Sequence, residues 1–356
     1  MSAEIELKLL VNPAFAAFLS KEMASFKVLS HTQQVLGNCY YDTADSFFSS
    51  QRMGLRVRTL NEQFILTLKT DGTTIGGLHM RPEYNCELDD ASPRLNGLSQ
   101  FADLQLSRPL EQLEQDLKPI FSTDFLRQAW EIELGNGANI EVALDQGEIE
   151  AQERFEPIYE AEFELKHGSL DDLLTFVESL SLSDGIRLGS VSKAKRGYRL
   201  AGIVPLQTFE WQREWQQLLF DVSASISTSA TAVLSRLFAY EQQLTEYYAE
   251  LLSTPLSATQ LDSALQAFMT LYRYYDQHQS LLWQAYQQQV GQRLKVRLDQ
   301  DSIEELIELN QRFLAKLIEL NKTSDDENRT LRLHELLHRG NGVKRQIYLI
   351  KLTLNG

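Results

Sequence analysis

Arg56 and Arg58 stand two residues apart in GLRVR, and Glu4, Glu6 and Lys8 alternate in EIELK. A period of two is that of a β-strand, so each charged set shares one face while Leu55 and Val57, or Ile5 and Leu7, take the other. The arrangement recurs along the chain. LTLK sets Lys69 beside Thr67 against Leu66 and Leu68, and RPEYNCEL sets Arg81, Glu83, Asn85 and Glu87 against Tyr84, Cys86 and Leu88. RQAWEIEL sets Arg127, Ala129, Glu131 and Glu133 against Trp130, Ile132 and Leu134. EVALD sets Glu141 and Asp145 against Val142 and Leu144, and YEAEFEL sets Glu160, Glu162 and Glu164 against Ala161, Phe163 and Leu165. Two chemistries are present. The guanidinium forks of Arg56, Arg58 and Arg127 and the ammonium groups of Lys8, Lys69 and Lys193 match phosphate oxygens. The carboxylates of Glu4, Glu6, Asp145, Glu160 and Glu162 are hard oxygen ligands of the kind that Mg²⁺ or Mn²⁺ prefers. A basic wall facing an acidic, metal-holding wall would suit a linear polyphosphate with divalent ions between them.

The elements that must position these groups are strands. Any single strand of this kind could simply show its charged face to water, as one side of an antiparallel sheet usually does. Seven such strands, with Arg where Lys would serve and acid pairs at i, i+2, suggest a sheet closed on itself, charges inward and apolar face packed on helices. Unpaired charges inside would be costly, so such a lumen needs water, metal ions or a highly charged ligand. Periodicity predicts strands at 3–11, 36–42, 53–60, 63–70, 79–88, 126–135, 138–146 and 158–166, with a further one at 190–194. Helices are expected at 13–25, 109–117 and 169–181.

Past Pro205 glycine nearly vanishes, Gln and Leu accumulate, and apolar residues recur at three and four. Segments 209–252, 257–289 and 301–320 read as amphipathic helices, broken at Pro255 and at NKTSDDEN (321–328). The expectation is an α+β domain over 1–204 and an all-α bundle over 205–356, divided near AGIVPL at 201–206. The first carries 19 Lys+Arg against 31 Asp+Glu and the second 15 against 18, so the acid is concentrated in the β half.

A formal net charge of −15 argues against general nucleic-acid binding and against an anionic membrane surface. Only two cysteines, Cys39 and Cys86, are present, so no disulfide framework is expected. With no signal-peptide pattern and no apolar run near the roughly 20 residues of a membrane span, the cytoplasm is the expected location.

E-x-E-x-K at Glu4, Glu6 and Lys8, YYDT at 40–43, LRVR at 55–58, TLK at 67–69 and GLHMRPEYN at 77–85 resemble the CYTH, or triphosphate tunnel metalloenzyme, family. FSTDFLRQAW at 121–130, IEVALDQGEI at 140–149, YEAEFEL at 159–165 and GSVSKAKRGYRL at 189–200 continue the resemblance in the same order. E-x-E-x-K alone is weak; nine segments in order, spanning residues 2–200, are not. The likeness extends to bacterial inorganic triphosphatases with an appended helical domain. It implies an eight-stranded antiparallel β-barrel forming a tunnel, flanked by helices, and Mg²⁺- or Mn²⁺-dependent hydrolysis of inorganic triphosphate or short polyphosphate to pyrophosphate and phosphate.

On that resemblance Lys8, Arg56, Arg58, Lys69, Arg127 and Lys193 would grip substrate, with Arg81 and Glu83 supporting them. One metal would sit on Glu4 and Glu6 and a second nearer Asp145, Glu160 and Glu162, with Glu164 either a further ligand or a rim residue. The alternatives are class IV adenylyl cyclase-like or thiamine-triphosphatase-like chemistry in the same tunnel, or a non-catalytic polyphosphate-binding module. No protein partner is indicated.

The helical part departs from the family's conserved histidine α-helical domain. It has only about 150 residues and lacks the His-Asp-x-Arg-x-x-x-x-Arg-Arg signature, leaving His278, His334 and His338 as substitutes. HELLH at 334–338 formally matches a zinc-protease pattern, but no third ligand is apparent and a packing pair is the expectation. The Tyr and Trp residues at 272–286 are expected in the core. GTTIGG at 72–77 lacks the Lys-Ser/Thr of a phosphate loop and reads as a flexible strand connection, with a lid at the tunnel mouth as a further role.

Overall fold

The period-two alternation becomes long, strongly paired strands in the computed structural model, which describes residues 3–205, 208–224, 229–252, 256–290, 296 and 298–354. In chain order these are β1 (Ala3–Val11), helix α1 (Pro13–Glu22), β2 (Lys27–Thr43), α2 (Phe47–Ser50), β3 (Gly54–Leu60), β4 (Gln63–Lys69), β5 (Thr73–Ile75) and β6 (Leu78–Leu88). There follow α3 (Leu110–Asp116), β7 (Leu117–Glu133), β8 (Asn139–Ala151) and β9 (Arg154–His167). Eight of these strands close into an antiparallel ring, in the order β1, β9, β8, β7, β2, β3, β4, β6 and back to β1.

Register puts like with like. Leu55 pairs with Leu68, Val57 with Leu66 and Leu66 with Cys86, and this apolar face is buried with Phe47, Phe48, Leu95, Leu98 and Leu113. The other face pairs Glu4 with Arg81, Lys69 with Glu83, Lys8 with Glu162, Arg127 with Asp145 and Asp145 with Glu160. The apolar core of this unit therefore lies outside the ring and the charges inside.

Two strands run longer than periodicity predicts. β2 begins at Lys27 rather than 36 and β7 at Leu117 rather than 126, and the two pair along their whole length. Residues 27–33 are exposed, so no alternation of polarity marks them in sequence. GTTIGG is a hairpin rather than a flexible connection: Thr73 pairs with Met80 and Ile75 with Leu78, and Gly76 takes the positive φ (61°) that the turn needs.

After β9 come α4 (Leu170–Ser179), β10 (Ile186–Leu188) and α5 (Lys193–Leu200). The strand expected at 190–194 is instead the start of α5, because the Ser192 hydroxyl accepts from Lys195 N and caps a helix there. α5 packs against β7, β8 and β9. Gly197 permits this approach, since a Cβ there would fall 2.1 Å from the Phe121 ring.

The helices are α6 (Trp211–Ala224), α7 (Ala230–Leu251), α8 (Ala258–Gln277), α9 (Gln279–Gln289), α10 (Gln300–Asn321), α11 (Asp326–Leu337) and α12 (Gly340–Thr353). α11 and α12 were not expected from sequence. Asp325, inside the predicted break, caps α11 by accepting from Asn328 N, and α12 opens on a glycine that sequence rules place at helix ends. Gly340 is required there because a Cβ would fall 1.8 Å from the Leu182 carbonyl oxygen. Pro255 and Leu206, part of the predicted break and boundary, lie outside the described residues.

The chain forms two compact units, one of Met1–Gly168 with Val191–Leu206 and one of Ser169–Ser190 with Gln207–Gly356. Thus α4 and β10 belong with the helical unit, where both meet α12. That unit is built around a buried ion pair: Arg345 donates to Glu241 and lies 4.7 Å and 5.1 Å from the ring centres of Tyr272 and Tyr275. No helix among the described residues is long and apolar enough to cross a membrane.

Candidate functional site

The inner wall has three neighbourhoods. In the first, β8 supplies Asp145 and β9 supplies Glu160 and Glu162, whose carboxylate oxygens lie within 4.8 Å of one another. Arg127 on β7 donates through Nε and Nη2 to Asp145, both at 2.7 Å, and to Glu162 at 2.6 Å. Lys8 on β1 stands 3.0 Å from Glu162 and 3.7 Å from Glu160. Lys193, carried in by α5, pairs with Asp145 at 2.7 Å, with Glu162 at 3.0 Å and with Glu160. Burial alone would raise the carboxyls of Asp145 and Glu162, but Arg127, Lys193 and, for Glu162, Lys8 outweigh it and hold both below the usual carboxylate range. Burial opposes the Lys193 charge as well, and the three carboxylates reverse that and raise it above the ordinary lysine value.

In the second neighbourhood Lys69 donates to both oxygens of Glu4 at 2.7 Å and pairs with Glu83 at 2.8 Å. Arg81 donates to Glu6 at 3.3 Å and lies 3.7 Å from Glu4. Glu4 and Glu6 are shifted in opposite directions. Burial, with Glu6 and Glu83 nearby, lifts Glu4 above the usual range despite Lys69. Glu6 meets the same burial, and Lys8, Lys69 and Arg81 bring it below.

The third neighbourhood is cationic. Arg56 donates to the Tyr40 hydroxyl at 3.5 Å and Arg58 to Asn38 Oδ1 at 3.0 Å, and neither enters an ion pair among the described residues. Burial, then Arg56 and Arg127, push the Arg58 guanidinium down to about 9, so it stays charged at neutral pH but lacks a counter-ion. An anion would relieve that deficit.

The structure thus brings every predicted site residue onto the inner wall, with Lys193 arriving from a helix rather than a strand. Glu4 and Glu6 are not part of the carboxylate trio; Glu4 is held mainly by Lys69 and Glu6 by Arg81, which also reaches Glu4. Glu164 is also apart, half-buried and paired with Lys166 at 2.7 Å. Asn38, Tyr40 and Thr123 were not singled out from sequence. Asn38 and Tyr40 alternate with Cys39 in NCYYDT, a mild signal, since neither residue is charged.

The trio suits a hard divalent cation. It offers oxygen only, and the fully buried Glu160 carboxylate is held by ion pairs to Lys193 and Lys8 rather than by hydrogen bonds of good geometry. Among the described residues it is the one group of three or more His, Cys, Asp or Glu side chains close enough to hold a metal, which leaves HELLH without a third ligand. The His334 and His338 rings are instead stacked at 4.2 Å, with His338 Nδ1 2.8 Å from the His334 carbonyl.

A CYTH domain family model matches residues 2–198. An inorganic triphosphatase of Haemophilus influenzae is 37% identical over 361 residues, covering 99% of this chain and 98% of that protein. Among solved structures, a putative adenylyl cyclase from Hippeastrum, described as having a dominant triphosphatase activity, is 19% identical with a TM-score of 0.40, over 57% of this chain and 97% of that one. A putative adenylate cyclase from Bacillus halodurans is 20% identical with a TM-score of 0.32, over 60% and 97% respectively.

Proposed function

The chain belongs to the CYTH family, and from that premise we propose that it hydrolyses inorganic triphosphate to pyrophosphate and phosphate within the ring, in the cytoplasm, using Mg²⁺ or Mn²⁺. The observation that carries this reading is the inner wall, where cations without carboxylate partners face carboxylates fit for a hard metal. Arg56 and Arg58 take phosphate oxygens first, because a phosphate supplies the counter-ion each lacks. Lys8, Lys69, Arg127 and Lys193 complete the grip and balance the charge that develops as the terminal phosphoanhydride bond breaks. Arg81 and Glu83 act one step back, holding Glu6 and Lys69 in place. Asp145, Glu160 and Glu162 would hold one divalent ion, and Glu4 with Glu6 would hold another. Such an ion supplies charge neutralisation and a bound water of lowered pKa. No nucleophilic Ser, Cys or His is needed. We assign this chemistry to residues 1–204 and leave 205–356 as a helical domain.

The test is to incubate the protein with triphosphate, ATP, pyrophosphate and long polyphosphate, each with Mg²⁺ or Mn²⁺, and to identify every product. Triphosphate is expected to yield pyrophosphate and phosphate far faster than ATP is cleaved. Comparable turnover of ATP, or formation of cyclic AMP, overturns the reading.

A further inference from the structure

Lys193 stands among the three carboxylates that would hold a divalent cation. Among the described residues it is the single cation in contact with all three carboxylates of the trio, and it is paired with Glu160, whose other cations, Lys8 and Arg196, stand farther off at 3.7 and 4.0 Å. The neighbouring cations are held differently. Arg127 is fixed by a two-pronged bond to Asp145, and Lys8 extends from within β1. Lys193 comes from the first turn of α5, beside the Phe125 ring at 5.1 Å, on a flexible stem with a compact head. A divalent ion and an ammonium cannot share the same carboxylate oxygens, because their like charges would be pressed together in a buried site.

We propose that Lys193 is a resident counter-ion which a divalent cation displaces, the freed ammonium then turning to a phosphate oxygen, so that metal loading tightens triphosphate binding. The proposal rests on the reading of the trio as metal-holding. Without metal, Lys193 keeps three buried carboxylates balanced; with metal, it becomes available to substrate. By linkage the effect is reciprocal: triphosphate, by retaining the ammonium, tightens metal binding.

The test titrates Mn²⁺ calorimetrically into the full chain without substrate, comparing wild type, Lys193→Met and Arg58→Gln. Arg58→Gln removes the same charge from the ring without touching the trio. Lys193→Met is expected to bind Mn²⁺ at least about tenfold more tightly than wild type, on the scale of a lost charge-assisted contact, with Arg58→Gln changing affinity far less. Binding seen only in Lys193→Met supports the proposal equally. Wild-type binding that Lys193→Met leaves unchanged or weakens overturns it while sparing the metal reading. Absence of Mn²⁺ binding in all three proteins overturns the metal reading and the proposal with it. Should Lys193→Met not fold, the lysine ¹⁵Nζ resonance of wild-type Lys193 decides: Mg²⁺ saturation is expected to shift it, and an unmoved resonance overturns displacement.

Discussion

Arg58 and Glu4 occupy opposite electrostatic situations, and their replacements should fail in different ways. Arg58 is half-buried beside two other arginines and bonded to Asn38, with no ion-pair partner among the described residues to orphan. Arg58→Ala should therefore raise the KM for triphosphate roughly 10- to 100-fold, the worth of a hydrogen bond to a charged group, with little loss of melting temperature. A steep fall in melting temperature would show that Arg58 holds the wall together instead. Glu4→Gln and Glu6→Gln should lower kcat by about 10²–10³ while leaving KM within a few-fold, because they spare the cations that grip the substrate. Steady-state assays at limiting metal separate the cases, and near-normal turnover in folded Glu4→Gln and Glu6→Gln proteins would reduce EIELK to an ordinary charged strand.

At the scale of elements, α5 decides whether Lys193 reaches the trio, and Gly197 decides how closely α5 approaches β7. Gly197→Ala drives a methyl group into the Phe121 ring, so either α5 or the ring must shift. An overpacking cost of about 1–3 kcal/mol is expected, with a rise in KM as Lys193 is drawn back. A melt and a KM measured on the same preparation check this, and an unchanged KM would detach α5 from substrate binding. The end of α11 carries a pH dependence. Burial, with Arg187 nearby, pushes His338 down to about 4 from 6.5. Between those values the unfolded chain binds a proton that the folded one refuses, so stability of the helical unit rises with pH from about 4 to 6.5 and is level above. Its size is of order 2 kcal/mol once partial solvation of the ring is allowed for. Denaturant melts across that range should show the slope in wild type and a shallower one in His338→Gln, where His334, also lowered by burial, remains.

Across the whole molecule, the proposed catalytic boundary and the packing boundary differ. Residues 169–190 lie before position 204 in sequence but belong to the unit with Gln207–Gly356. Leu173, Leu174, Phe176 and Val177 of α4 are buried in the full chain, on an element that packs against α12. A protein ending at 204 should therefore expose an apolar face, elute aggregated and bind a hydrophobic dye, although each residue proposed for the chemistry is present. A monodisperse 1–204 protein without dye binding would show that α4 does not need the helical unit.

The two-faced strands, the composition of both walls and the change from period two to three and four at residue 205 were all legible in the chain. Each is a local pattern, repeated often enough to outweigh the solvated-sheet alternative. The first half of β2 was not legible, because residues 27–33 are exposed on both faces and carry no polarity alternation. Nor was α12, whose glycine start answers to the distant Leu182 carbonyl rather than to its own neighbours. The pairing of charges inside the ring was beyond sequence altogether. Glu4, Glu6, Asp145, Glu160 and Glu162 look alike as letters, yet closure gives Glu4 to Lys69, Glu6 to Arg81 and the other three to one another and to Lys193. Residue type sets which charges are available. Ring closure and the seat of α5 set which of them meet, because those contacts join strands and a helix far apart in the chain.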